Sequence, residues 1–109
     1  MDVPAALLVL CTCPDTESAA TIARALVEER LAACVNRVPG LTSVYRWQGE
    51  IHEDSEVLLL IKTRSELFEA LRARLVALHP YDTPEVIALE IGAGHAPYLE
   101  WLRTETRFG

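Results

Sequence analysis

Two cysteines separated by one residue, Cys11 and Cys13, are the residues of this chain best suited to bind a soft cation. They close an apolar run of strand length, and residues at this spacing in a strand point to the same face, with Cα atoms about 6.6 Å apart. Two thiolates on one face can bind an ion such as Cu(I). The alternative is that both are small buried hydrophobic residues at a strand end. For the third cysteine, Cys34, we expect a packing role.

A further candidate is His79, in the segment LHPYDTPEV from Leu78 to Val86. The pattern places it in the last turn of a helix that Pro80 stops, where an imidazolium interacts favourably with the helix dipole. The alternative is that His79 is the functional residue of this segment. The residues that follow it form a turn, and Pro84 restricts the entry to the next strand.

Cys11 and His79 together contain the groups of a nucleophile and a base. The sequence names no oxyanion donor to accompany them, and it contains no G-x-S-x-G, no H-E-x-x-H and no phosphate-binding glycine loop. We therefore predict that the protein is not an enzyme.

Composition restricts the class of protein further. The chain has 109 residues, which predicts one domain over 1–109. Its formal net charge is −6 and no Lys/Arg run stands out, so binding to nucleic acid is not expected. The N-terminus MDVPAALLVLCTCPD predicts neither a signal peptide nor a membrane span. Three cysteines, an odd number, argue against a secreted disulfide framework, and we expect a soluble cytoplasmic protein.

The first half of the chain predicts a strand, a helix and a second strand. The apolar run Ala5–Cys11 is the first strand, and Asp15 or Thr16 caps the helix, which ends near Leu31. Its apolar residues recur at helical spacing: Ala19, Ile22, Ala23, Leu26, Val27 and Leu31. The second strand begins in AACVNRV, and Pro39-Gly40 is expected to break it.

A hairpin is predicted next. Tyr45 and Trp47 share one face of an extended segment, and Gln48-Gly49 is the expected turn. The return strand covers Ser55–Lys62. Four acids of this region are expected to be solvent-exposed and dispensable for folding: Glu50, Glu53, Asp54 and Glu56.

The remaining elements are a helix, a strand and a short final helix. Thr63 and Glu66 fit a capping box, with Ser65 as the rival cap. One helical face is marked by Leu67, Leu71, Leu75 and Leu78. The segment EVIALEI is a strand, and Pro97 suits the first turn of a last helix that carries Tyr98, Trp101 and Leu102.

This order predicts an α+β protein with a ferredoxin-like βαββαβ antiparallel sheet and a C-terminal helix. The runs ALLVLC and VLLLI do not alternate between apolar and polar residues, so both faces of the sheet require burial. The helices cover only one face. We therefore expect a homo-oligomer in which another copy covers the second face.

The aromatic residues have two interpretations. Most of them are found at Tyr45, Trp47, Tyr81, Tyr98 and Trp101. Aromatic residues are common in oligomer interfaces. The alternative is a small-molecule cleft between subunits, with Arg46 and Lys62 as anion contacts.

Six segments, in order, resemble the divalent-cation tolerance protein family, CutA: LVLCTCPD, LAACVN, PGLTSVYRWQGEI, LLLIKT, HPYDTPEV and YLEWL. The resemblance extends from about Leu7 to Leu102. It implies a ferredoxin-like fold, a compact homotrimer similar to the PII signalling proteins, and a link to tolerance of copper and other divalent cations. The similarity to PII trimers also implies an alternative function, the binding of a small-molecule effector at subunit clefts.

The resemblance also implies a ligand set. Members of the family are associated with copper ligation by a cysteine at the end of the first strand and by two adjacent histidines before Pro-Tyr. Cys11 and His79 match the cysteine and the second histidine, and Leu78 replaces the first. We expect weak binding of copper or another divalent cation by Cys11 and His79, with Cys13 as an auxiliary ligand. We do not expect a metal to be required for folding.

Overall fold

Four antiparallel strands form one sheet, and two of the helices pack against one of its faces. The structure is a computed structural model that describes residues 5–107. The elements are β1 (Ala6–Cys13), α1 (Thr16–Glu28), β2 (Cys34–Trp47), β3 (Glu50–Arg64), α2 (Phe68–Leu78), β4 (Ile87–Glu90) and α3 (Ala96–Glu105). The strands lie in the order β2-β3-β1-β4. This arrangement confirms the predicted ferredoxin-like α+β class.

The core lies between the sheet and the helices α1 and α2. Strand β1 is central, and alternate residues of it are buried, namely Leu7, Val9, Cys11 and Cys13. Strand β3 contributes Val57, Leu59 and Ile61, and the two helices contribute Ala19, Ile22, Leu26, Leu71 and Leu75. The apolar periodicities of the sequence therefore correspond to the faces that meet in the core.

Helices α1 and α2 do not reach the second face of the sheet, and α3 meets it only at one end, where Tyr98 adjoins Cys34 and Thr106 bonds to Arg64. The strand register places Leu8 beside Leu89, and Leu10 beside both Leu60 and Ile87. Ile87 and Leu89 are each about half exposed. We call this surface the open face, and its apolar residues are Leu8, Leu10, Val38, Leu58, Leu60, Ile87 and Leu89.

The expected break at Pro39-Gly40 is wrong, because β2 continues through it to Trp47. Val38 pairs with Leu58 and Leu41 pairs with Glu56, so β2 carries one extra residue there and forms a β-bulge. Gly40 has a φ of 84°, a conformation that side chains disfavour. Before the bulge the even-numbered residues of β2 lie on the open face, and after it the odd-numbered ones do. The bulge therefore places Tyr45 and Trp47 on that side of the hairpin.

The hairpin turn at Gln48-Gly49 is confirmed. Both residues have positive φ values, 50° and 83°, as a two-residue type I′ turn requires. The return strand begins at Glu50 and ends at Arg64, so it is longer at both ends than predicted. The paired strands extend from the body of the protein, whose dimensions are 48 × 25 × 23 Å.

Two helix caps were tested by the structure. The Asp15 cap is confirmed, because its carboxylate accepts from the Ser18 amide at 2.8 Å. The capping box at Thr63 and Glu66 is wrong. The Thr63 hydroxyl donates instead to the Leu31 carbonyl at 2.7 Å, and Glu66 accepts from Arg64 at 2.8 Å.

The other helix and strand boundaries differ from the predicted ones by a few residues. α1 ends at Glu28 rather than near Leu31, because Arg30 takes a positive φ and closes the helix. β4 covers only Ile87–Glu90 of EVIALEI, and α3 has a proline in its first turn as predicted. Residues 1–4, on which part of the N-terminal prediction falls, lie outside the described residues. Among the described helices, none is long and apolar enough to cross a membrane.

The bulge predicts a selective effect of substitution at Gly40. A Cβ at Gly40 meets no atom within 4 Å, so Gly40→Ala adds backbone strain without a steric clash. We expect it to lower the free energy of unfolding by about 1–2 kcal/mol. Gly92→Ala is the matched control, because its Cβ also meets open space and its φ is not positive. Denaturant unfolding checks this, and equal stability of the two variants would contradict the role of the bulge.

Candidate functional site

Cys11 and Cys13 lie side by side at the end of β1, on the face that packs against the helices. Both are fully buried, with relative exposures of 0%. The sequence predicts a strand that ends at Cys11, whereas β1 extends to Cys13, which pairs with Val57. This extension gives the two thiols the same direction.

His79 lies against the same end of β1. It is the residue after α2, its backbone is extended, and it is 7% exposed. Its Nδ1 accepts from the Tyr81 amide at 3.1 Å, so its Nε2 carries the proton and donates to the Thr12 carbonyl at 2.8 Å. His79 therefore follows the last turn of α2 rather than lying in it, and these two hydrogen bonds orient its ring.

The three side chains form one cluster, which we call the thiol–imidazole cluster. One donor atom each from Cys11, Cys13 and His79 lies within 4.8 Å of the others. Among the described residues no carboxylate belongs to the cluster. Two sulfurs and an imidazole nitrogen suit copper or zinc, whereas calcium and magnesium require oxygen ligands.

Leu78, at the position of the first histidine in the family pattern, is half-buried and packs against the hydrophobic cluster that includes the two cysteines. It presents a hydrocarbon surface to that cluster. The chain thus offers three donor groups at this place rather than four.

The two thiols titrate as a coupled pair. A hydrogen bond from the Cys11 thiol lowers the pKa of Cys13 below its usual range, against the opposing effect of burial. The same hydrogen bond, together with burial, raises the pKa of Cys11. One thiolate is therefore easier to form than it would be in an isolated buried cysteine, and the second is harder.

This coupling predicts the effect of removing the donor. In Cys11→Ala, burial remains but the hydrogen bond to the Cys13 thiolate is lost, so the pKa of Cys13 should rise. Ultraviolet absorbance of the thiolate during a pH titration measures this change. Cys34→Ala is the matched control, because Cys34 lies outside the cluster, and an unchanged Cys13 titration in Cys11→Ala would contradict the coupling.

Cys34 lies apart from the other cysteines, at the start of β2, where it is half-buried. Its neighbour is Tyr98, whose pKa is raised by burial and to a lesser extent by contact with Cys34. This position agrees with the packing role expected for Cys34.

A second feature is a cleft of about 600 Å³ at the base of the hairpin. Three of the aromatic residues singled out in the sequence, Tyr45, Trp47 and Tyr81, line it. Arg46 and Lys62 do not line it, and Lys62 instead bonds to Asn36. Their expected role as anion contacts at a cleft between subunits stays a prediction.

Tyr98 and Trp101 also lie outside the cleft. They contact each other on α3, with ring centroids 5.4 Å apart. The aromatic residues that the sequence groups together thus belong to two separate surfaces.

Glu56 contradicts the expectation that the hairpin acids are exposed. It is 7% exposed, and its carboxylate accepts from the Tyr81 hydroxyl at 2.7 Å. Asp54 is exposed but accepts from the Tyr45 hydroxyl. Glu50 and Glu53 are exposed as predicted. Glu56 differs because it lies at the base of the hairpin, where the loop after α2 covers it.

Sequence reasoning did not identify roles for Thr12, Asp82 and Glu85. The Thr12 carbonyl holds His79, and Asp82 and Glu85 line the cleft together with Glu56. The only signal in the sequence was the density of acids near Tyr81 and in the return strand. Their convergence depends on the fold.

The fold and the cluster define a small ferredoxin-like protein with buried soft-ligand side chains. The family model described as CutA1 divalent ion tolerance protein matches residues 7–105. This chain belongs to that family.

Individual relatives agree with this assignment. The divalent-cation tolerance protein CutA of Thermus thermophilus is 62% identical over 99 residues, which are 91% of this chain and 96% of that protein. Human protein CutA is 55% identical over 95 residues, which are 87% of this chain and 53% of that protein. The chain thus spans about half the length of this human relative.

Solved structures show the same fold. The divalent cation tolerance protein of Thermus thermophilus superposes with a TM-score of 0.92 at 60% identity, covering 94% of this chain and 99% of that chain. The CutA1 structure from Oryza sativa has a TM-score of 0.94 at 48% identity, covering 98% and 97%. The family description and these names refer to ion tolerance or to the family itself, and to no catalysed reaction.

Proposed function

We propose that this member of the divalent ion tolerance family binds copper through Cys11, Cys13 and His79. The observation that carries the proposal is the cluster itself: three buried donors, from β1 and from the residue after α2, within 4.8 Å of one another. Sulfur and imidazole ligands favour copper over calcium or magnesium.

Each ligand must change its state to bind the ion. The cysteines must lose their protons. His79 must either free its Nδ1 from the Tyr81 amide, or move its proton from Nε2 to Nδ1 and lose the bonds to both Thr12 and Tyr81. These losses weaken binding. Because Leu78 offers no fourth donor, the three-ligand set suits Cu(I) better than a closed tetrahedral zinc site. The ligands are already packed and hydrogen-bonded, so folding does not require the metal.

The proposal does not include catalysis. His79 lies near Cys11, but both of its ring nitrogens are engaged by the backbone at Thr12 and Tyr81. A base for a nucleophilic cysteine would instead hydrogen-bond to the thiol.

A copper titration tests the site. Reduced protein is titrated with Cu(I) against a coloured chelator, under anaerobic conditions, for wild type, Cys11→Ser, Cys13→Ser and His79→Ala. We expect weak binding by wild type and a loss of about tenfold or more in each variant. Binding should also weaken as the pH falls, because protons compete for the thiolates and the imidazole.

Cys34→Ser is the matched control, because this cysteine lies outside the cluster. It should bind copper as wild type does. Circular dichroism without copper checks that each variant is folded. Equal affinity in all of the variants would refute the proposed site.

Leu78→His restores the ligand that the family pattern contains at this position. Because Leu78 packs against the hydrophobic cluster that includes the cysteines, an imidazole there would lie near the other donors. We expect tighter copper binding, measured by the same titration. If the affinity does not change, residue 78 does not supply a ligand.

We further propose that the protein is a homotrimer, as the family resemblance implies. The open face supports association, because it presents a row of apolar side chains that the described part of the chain does not cover. The extended hairpin also exposes apolar residues, among them Val44 at 65% and Ile51 at 67%. Burial of such surfaces drives the association of subunits.

A charge on the open face should disrupt the assembly. Native mass measurement is expected to give three chains per particle for wild type. Leu89→Asp should dissociate the particle at micromolar concentration, because its carboxylate would lose water in the interface. Val27→Asp is the matched control, since Val27 is 42% exposed on α1 at the opposite face. A folded wild-type monomer would contradict the proposal.

We propose the cytoplasm as the location. The three cysteines are free thiols, as in a reducing compartment. A relative from Archaeoglobus fulgidus, 37% identical with a TM-score of 0.89, is described as a periplasmic divalent cation tolerance protein. Cell fractionation of the native host distinguishes the two locations.

A second candidate function is the binding of a small-molecule effector, as in PII-like signalling proteins. The cleft at the base of the hairpin favours it, since about 600 Å³ is within the usual size range of ligand pockets. The residues that line this cleft are not those of the thiol–imidazole cluster.

A further inference from the structure

The charged side chains that line the cleft are all acidic. Its lining includes the acids Glu56, Asp82 and Glu85, and it includes neither lysine nor arginine. The ion pairs among residues 5–107 join arginines to other acids, and none of them involves these three. Negative charge in the cleft is therefore not neutralised by side chains of the described chain.

Glu56 makes this imbalance unusual. It is more than nine-tenths buried, yet its hydrogen-bond partner is a neutral hydroxyl, that of Tyr81. Buried carboxylates are ordinarily paired with a positive charge. A ligand with a positive charge would supply the cationic partner that Glu56 does not have among the described residues.

The other walls are aromatic. Tyr45, Trp47 and Tyr81 line the cleft, and two of these rings are held by carboxylates, Tyr81 by Glu56 and Tyr45 by Asp54. The ring of Tyr45 also stacks on His52, with centroids 5.4 Å apart. Aromatic faces attract cations that have lost part of their water, and they bind apolar groups as well.

We propose that the cleft binds an organic ammonium ion, with the ammonium group at Glu56 and its carbon skeleton against the rings of Tyr45, Trp47 and Tyr81. A hydrated inorganic cation would use the carboxylates but not the rings. An anion would meet three carboxylates and no basic residue. The proposal rests on the second candidate function, and it makes no use of the thiol–imidazole cluster.

Three probes of similar shape and different charge test the proposal: benzylammonium, benzyl alcohol and benzoate. The protein carries Trp101→Phe, so that Trp47, which lines the cleft, is the only tryptophan. Tryptophan fluorescence is followed at constant ionic strength in the full-length protein as it assembles in solution. We expect saturable binding of benzylammonium, about tenfold weaker binding of benzyl alcohol, and none of benzoate.

Variants locate the charge. Glu56→Gln should weaken benzylammonium binding by about tenfold. Glu53→Gln is the matched control, since it removes the same charge from an exposed residue of β3 outside the cleft, and it should have no effect. An equal loss in both glutamate variants would show a general effect of surface charge and would overturn the proposal.

Other outcomes also decide the question. If magnesium binds saturably and as tightly as benzylammonium, the cleft is a site for inorganic cations. If benzoate alone binds, the cleft is an effector site for anions. Both overturn the proposal but not the second candidate function. If none of the probes binds, the cleft is not a ligand site and the proposal is overturned. A basic side chain of a neighbouring copy that fills the cleft in the assembled protein would then explain the absence of binding.

Discussion

The central position of β1 is the constraint on which both candidate sites depend. Its inward residues are buried completely by α1 and α2, which places the thiols of Cys11 and Cys13 inside the protein. Strand β4 pairs with β1 only from Leu7 to Leu10, so the carbonyl of Thr12 lies beyond that pairing. The imidazole of His79 donates to it instead. One hydrogen bond thus brings the imidazole to the cysteines.

The segment that begins at His79 connects the two sites. Tyr81 follows His79 closely, its amide bonds to the His79 ring, and its hydroxyl bonds to Glu56. The rings of His79 and Tyr81 are 4.8 Å apart. The segment after α2 therefore has the histidine of the thiol–imidazole cluster on one side and a wall of the cleft on the other. Movement of His79 toward a metal would disturb the Tyr81 amide, which provides a physical route by which one site affects the other.

Charge is distributed unevenly over the protein. Among the ion pairs of residues 5–107, four of the five lie within a helix or join α2 to Glu29, the residue after α1. The hairpin and the loop after α2 carry acids without basic partners. These acids contribute to the net charge of −6. An apolar open face and an acidic cleft are therefore adjacent surfaces of different chemistry.

Local patterns in the sequence determined the elements. Apolar runs predict β1 and β3, the Asp15 cap predicts the start of α1, and Gln48-Gly49 predicts the turn, because each depends on residues within a few positions of one another. The order of these elements determined the class of fold. The C-x-C spacing also determined that two thiols share a face once a strand contains both.

Only the tertiary structure decided the partners of the polar side chains. The Thr63 hydroxyl bonds to a carbonyl 32 residues away, so the local capping box does not form. Glu56 meets Tyr81, 25 residues later, and is buried rather than solvated. His79 meets Thr12 across 67 residues and not the end of its own helix. Such contacts depend on strand register, including the one-residue bulge at Pro39-Gly40, which no local periodicity encodes.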